Sequence, residues 1–141
     1  MRFMIIRKAD ESTEAGVMPS TELLEAMGSY IEEMVKAGIL LAGDGLHPSS
    51  RGARITFADG KPTVLDGPFA ETKELIAGYH LIEVSSMDEA IEWTKRWPAE
   101  LDGNPVVEIR QVFEADDFGP EFTPEQRERE ARMRAELEQR G

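Results

Sequence analysis

Apolar residues open the chain in a period of two. In Arg2-Phe3-Met4-Ile5-Ile6-Arg7, Phe3 and Ile5 point one way and Met4 and Ile6 the other, so residues 2–7 are predicted to form a strand. Asp10 to Ser20 is polar, contains Gly16 and Pro19, and reads as a loop. The period then lengthens. Leu23, Leu24, Met27, Ile31, Met34 and Val35 make a helical stripe, with Ser20 or Thr21 as its cap and Glu22 and Glu25 near its positive end. Gly38 is expected to end this helix.

Beyond it, Ile39 to Ala42 predicts a short strand, and Gly43-Asp44-Gly45 reads as a turn opening a loop that runs through Pro48 and Gly52. Arg54–Phe57 and Thr63–Leu65 flank Asp59-Gly60, a hairpin signature. Leu75–Val84 is the strongest strand signal in the chain. Ser86 is expected to cap a second helix and to form a capping box with Glu89, with Met87, Ala90, Ile91, Thr94 and Trp97 facing inward and Pro98 stopping it. Val106–Phe113 reads as the last strand of the body. Thr123-Pro124-Glu125-Gln126 starts a further helix of almost only Glu and Arg, a solvated helix supported by pairs such as Glu128–Arg132 and Glu130–Arg134.

This order, strand–helix–strand–hairpin–strand–helix–strand, is the split β-α-β arrangement of a ferredoxin-like α+β sandwich, followed by a charged C-terminal helix. The expected organisation is a domain over residues 1–115 and a linker with the charged helix over 116–141. In the strand at 75–84, Ile76, Gly78, His80, Ile82 and Val84 share one face, and Ala77, Tyr79, Leu81 and Glu83 the other. Both faces are largely apolar, and two helices cover only one face of a sheet. A second copy packed sheet against sheet is the simplest cover for the other, so a homodimer is expected.

Composition removes several function classes. Without cysteine there is no disulfide, thiolate catalysis or Cys-ligated metal. The net charge of −12 lies wholly in residues 1–123, because the stretch from Pro124 holds five Arg and five Glu. An acidic body repels phosphate backbones, which argues against nucleic-acid binding. No apolar run approaches the roughly 20 residues of a membrane span, and the N-terminus lacks signal-peptide features. A cytoplasmic protein without membrane attachment is expected.

The candidate chemistry gathers around residues 66–80. After the turn Asp66-Gly67-Pro68, the residues Glu71-Thr72-Lys73-Glu74 place charges at the mouth of an apolar strand, where binding groups tend to sit. Lysine among carboxylates can hold an anionic oxygen, and a carboxylate in an apolar cleft can become a proton carrier. Glu108 and Arg110, two apart on the last strand, share a face and need partners if buried. Lys73 and Arg110 are expected to hold an anion, with Glu71, Phe69 and Tyr79 as further ligand contacts. Asp66, Glu74 or Glu108 would carry the proton, with His47 as an outside candidate; both histidines, His47 and His80, have competing structural readings. No histidine pair has metal-ligand spacing, and no cofactor is implied.

The run Asp66-Gly67-Pro68-Phe69-Ala70-Glu71-Thr72-Lys73-Glu74, then Gly78-Tyr79, Asp88-Glu89-Ala90-Ile91-Glu92-Trp93 with Pro98, and Glu108-Ile109-Arg110 resemble the YCII-related family, in the branch named for its DGPF motif. The resemblance spans about residues 2–113. It implies a ferredoxin-like fold of the dimeric α/β-barrel group. The wider group includes a lyase-type enzyme that removes chloride from a hydroxylated aromatic ring, with a His–Asp pair proposed as its active centre. That histidine falls shortly after the first strand, and Arg7 to Ser20 contains none here, so the dyad does not carry over. Gln111 also stands where a proline usually follows the Glu-x-Arg unit. The expected function is binding of a small anionic or hydroxylated molecule in a cleft, with cofactor-free acid/base chemistry of lyase or isomerase type. The alternative is a non-catalytic binding or regulatory module acting through protein contacts.

Overall fold

The structure, a computed structural model, describes all residues from Met1 to Gly141. It divides into two units, Met1–Gln111 and Val112–Gly141. The first contains β1 (Arg2–Lys8), α1 (Glu11–Glu14), α2 (Thr21–Lys36), β2 (Leu40–Gly45), β3 (Ala53–Ala58), β4 (Lys61–Asp66), β5 (Ile76–Glu83), α3 (Met87–Thr94) and β6 (Val107–Gln111). The second contains one α-helix, α4 (Pro124–Arg140), preceded by a single 3-10 turn at Ala115–Asp117. No helix is long and apolar enough to cross a membrane.

Four strands form an antiparallel sheet in the order β2-β5-β1-β6. With α2 linking β1 to β2 and α3 linking β5 to β6, this is the expected ferredoxin-like sandwich. The β3–β4 hairpin stands outside the four-stranded sheet as a separate two-stranded ribbon. Asp59 and Gly60 at its tip both have positive φ, 51° and 76°, as its two-residue turn requires.

The core lies on one face of the sheet. Phe3, Ile5, Ile82 and Val84 meet Tyr30 and Met34 of α2 and Ala90 of α3. Residues directly opposite in an antiparallel pair share a face, and Ile5 lies opposite both His80 and Ile109. Met4, Ile6, Tyr79 and Leu81 have the opposite parity and are only half-buried. Burial on α2 falls on Leu23, Tyr30 and Met34. Leu24 and Val35 lie exposed, because each is one residue, about 100° of helix rotation, off that seam.

Several local expectations need correction. Residues 10–20 are not all loop: Asp10 caps the short α1, with its Oδ1 accepting from Thr13 N at 2.9 Å. Gly43-Asp44-Gly45 is no turn but the end of β2, drawn into the strand by pairing with His80, Tyr79 and Gly78. Ser86 does cap α3, yet Glu89 reaches back to Ser85, whose N and Oγ donate to it at 2.8 and 2.6 Å, so the reciprocal bond lands one residue early. On α3 only Ala90 is fully buried, while Met87 and Ile91 remain exposed because the helix rests on the sheet by one narrow seam. In α4 the Glu130–Arg134 pair forms at 2.8 Å and Glu136–Arg140 joins it at 2.7 Å, but Glu128 and Arg132 do not pair. Helix α4 starts at Thr123 as expected, with a capping box between Thr123 and Gln126.

Candidate functional site

Alternation along β1 puts Arg7 on the same face as Phe3 and Ile5, so a guanidinium ends up under the helices with 6% of its surface exposed. A buried charge must be paired. Nε and Nη2 of Arg7 donate to Asp102 Oδ2 and Oδ1 at 3.1 and 3.0 Å, a two-pronged contact. Nη2 also donates to Asp102 O at 2.8 Å, and Nη1 donates to Lys8 O at 2.7 Å and to Asp10 Oδ2 at 3.3 Å. Trp97 Nε1 donates to Asp102 Oδ2 at 2.9 Å. Burial opposes the charge on Arg7, but the hydrogen bonds and charges of Asp102 and Asp10 outweigh it and hold its pKa above the ordinary value. Asp10 is held below the usual carboxylate range, first by the Thr13 backbone N–H, with Arg7 assisting.

This network borders a cleft of about 920 Å³ between the ends of β1, β2 and β5, the N-terminal half of α2, and the segments following β1 and α3. Such a volume accommodates a small organic molecule. His80 lines the same cleft. Its ring forms a cluster of three with those of Tyr30 and Trp97, whose centroids are 6.1 and 5.4 Å away. Gly43 opposite leaves room for it: a Cβ there would sit 2.5 Å from His80 Cδ2. The residue is 7% exposed, and its Nδ1 is buried with no hydrogen-bond partner. Burial pushes its pKa below the ordinary histidine value, so the neutral ring prevails near pH 7. Tyr30, whose hydroxyl donates to Trp93 O at 2.8 Å, is pushed up to about 12 by burial and stays protonated.

Three segments meet at the rim. Ser49 donates through N, at 2.9 Å, and through Oγ to the Glu14 carboxylate, and Ser49 Oγ accepts from Phe69 N at 3.0 Å. Gly67 N donates to Gly52 O at 3.0 Å. The last residue of α1, the turn following β2 and the Asp-Gly-Pro turn are thus tied together.

The residues singled out from sequence are dispersed. His47 lines the cleft, with its Nε2 3.2 Å from Arg51 Nη1, and Tyr79 borders it. Lys73 lines a second, smaller pocket. Asp66, Glu71 and Glu74 are exposed and border neither. Phe69 is half-buried, with the Arg54 guanidinium 4.1 Å from its ring centroid. Glu108 and Arg110 pair with each other at 3.6 Å, and their register opposite Ile6 and Met4 places them on the sheet face away from α2 and α3. Arg7, Asp10, Trp97 and Asp102 carry no site reading from sequence, and for His80 a structural or solvent role stands ahead of acid–base work. One signal was available: Arg7 shares the parity of Phe3 and Ile5 and had to find carboxylates.

The chain belongs to the YCII-related family: the YCII-related domain profile matches residues 1–116. An uncharacterized protein of Rhizobium meliloti (strain 1021), R00369, is 33% identical over 97 residues, covering 67% of this chain and 78% of that one. Among solved structures, 5-chloro-2-hydroxyhydroquinone dehydrochlorinase from Burkholderia phenoliruptrix AC1100, in complex with 2,5-dihydroxybenzoquinone, aligns with a TM-score of 0.46 and 15% identity, covering 84% of this chain and 100% of that one.

Proposed function

We propose that the protein binds a small hydroxylated molecule in the cleft bounded by Arg7, His80, Trp97 and Asp102 and acts on it as a cofactor-free acid/base enzyme, with His80 as the proton acceptor. The observation that carries this reading is His80, a neutral imidazole in the cleft wall whose Nδ1 has no partner. A buried polar atom left unpaired costs about 1–3 kcal/mol, and a ligand hydroxyl would bond the ring's other nitrogen, Nε2, which is not buried and makes no hydrogen bond within the chain. Transfer breaks the O–H bond, forms an N–H bond on the ring and leaves an oxyanion on the ligand. A histidine of lowered pKa is a weak base, so phenolic and enolic hydroxyls suit it better than aliphatic alcohols.

The charges at the cleft favour a neutral ligand over an anion. Two arginines, Arg7 and Arg51, and three aspartates, Asp10, Asp44 and Asp102, line it, and Arg7 is already committed to aspartates. The half-buried Met4, Ile6, Tyr79 and Leu81 on the other face of the sheet would be covered by a second copy of the chain, with Glu108 and Arg110 at the contact.

The test is a thermal-shift titration with phenol, catechol, hydroquinone, aliphatic alcohols and simple carboxylic acids. A phenolic ligand at roughly 100 times its dissociation constant adds ~2.7 kcal/mol. The expected result is a rise in melting temperature with a phenolic or enolic compound, lost in a folded His80→Phe variant. An equal response in that variant removes His80 from the site.

A further inference from the structure

Beside the cleft, at the end of β1, lies a separate pocket of about 480 Å³ lined by Lys8, Asp10, Lys73, Asn104 and Val106, among others. Its cations have no counter-ion within the chain. Lys36 and Lys95 pair with Glu32 and Glu92 at 3.1 and 2.9 Å, whereas neither Lys8 nor Lys73 makes an ion pair or a side-chain hydrogen bond. Lys73 has Glu71 and Glu74 nearby in sequence, yet the tight turn Thr72–Glu74 leaves both carboxylates out of pairing reach of it. The pocket's own carboxylate, Asp10, is engaged by Thr13 N at 2.9 Å and by Arg7 Nη1 at 3.3 Å. Two lysines without ion pairs therefore line one concavity in a chain of net charge −12. A concave wall lined by charges of one sign concentrates their field.

We infer that this pocket is an anion site that takes a carboxylate or phosphate group between Lys8 and Lys73. Each ammonium offers three donors to such an oxygen-rich group, and Asn104 adds a side-chain amide. Asp10 and Gly103 border both pockets, so the anion would lie just across the Arg7–Asp10–Asp102 network from the cleft. The inference goes beyond the proton-transfer reading and does not depend on it.

The test is an amide-resolved NMR titration of the full chain with inorganic phosphate and, separately, with succinate at constant ionic strength. Saturable shifts are expected at Lys8, Lys73 and Asn104. Lys8→Gln and Lys73→Gln should each weaken binding at least tenfold, Lys8→Gln/Lys73→Gln together should abolish saturation, and Lys73→Arg should retain it. Saturation by phosphate alone identifies a phosphoryl group, and saturation by succinate alone a carboxylate. Lys61→Gln at the hairpin tip should change nothing; an equal loss there would reduce the effect to net charge and overturn the site. A double variant that titrates like the native chain, or no saturation by either anion, also overturns it. His80→Phe should leave phosphate binding intact while losing the phenolic ligand, so the two readings fail separately.

Discussion

His80 carries a cost that phenylalanine in its place would not. Its Nδ1 is buried and unpaired, and replacing the imidazole by an apolar ring of similar shape removes that penalty. His80→Phe is expected to raise unfolding stability by about 1 kcal/mol at pH 7, read by urea denaturation. The pH dependence has a defined sign. The folded pKa of His80 lies below the unfolded value of 6.5, so below pH 6.5 the unfolded chain binds the proton more readily. Its contribution to stability is full above pH 6.5 and falls as the pH drops toward the folded pKa. The native chain should therefore lose stability on acidification through that window, and the variant should lose less. Equal slopes in both would show that His80 does not titrate there. Arg7 presents the reverse situation, a buried cation that is fully answered. Asp102→Ala should cost about 3–5 kcal/mol because the guanidinium stays behind, whereas Arg7→Met, which removes the charge itself, should cost less. Arg7 was legible as a buried charge from its parity with Phe3 and Ile5. Its partner was not: Asp102 is 95 residues away, one of 28 acidic residues, and nothing in local spacing selects it.

At the scale of elements, sequence reasoning worked where one periodicity decided the outcome. Strand β1, helix α2 with its Ser20 cap, the β3–β4 hairpin and the start of α4 at Thr123 all followed from local pattern. It failed where tertiary pairing overrode local chemistry. Gly43-Asp44-Gly45 has turn composition, but β5 alongside makes it strand, and its glycine is needed because the His80 ring occupies the space of a side chain. Two glycine substitutions separate two kinds of close approach. At Gly67 a Cβ would fall 1.7 Å from the Ser49 carbonyl oxygen, which is backbone held in the rim junction. Gly67→Ala should strongly destabilise the base of the hairpin, and truncating a neighbouring side chain should not rescue it. At Gly43 the nearest atom is His80 Cδ2, a side-chain atom. Gly43→Ala should be partly rescued by His80→Ala, a positive coupling readable in a double-mutant cycle. If His80→Ala rescues Gly67→Ala equally, the contrast between backbone and side-chain contact is wrong.

For the whole molecule, the division at Gln111 sets one expectation and the sheet sets another. Unit 1 has its own core, and no residue of that core lies beyond Ile109. Ending the chain at residue 116 should therefore leave the unit folded, with its phenolic ligand response intact; a loss of that response would make the C-terminal unit part of the function. The dimer expectation depends on what β1 and β5 present away from α2 and α3. Leu81 lies opposite Met4 on one side and Ala42 on the other, at the middle of the half-buried apolar face. A charge placed there would have no partner in a sheet-to-sheet contact, and burying it unpaired costs several kcal/mol in each subunit. An interface related by a two-fold axis would bring both copies of that charge into the same contact. Sedimentation velocity should give a dimer for the native chain and a folded monomer for Leu81→Asp. Glu83→Asp, at the exposed end of the same face, serves as the control and should stay dimeric. A native monomer would mean that this face, apolar as it is, is left to solvent. A dimeric Leu81→Asp variant would place the contact elsewhere, and the exposed Ile55, Phe57 and Val64 of the hairpin ribbon would then be the next surface to substitute.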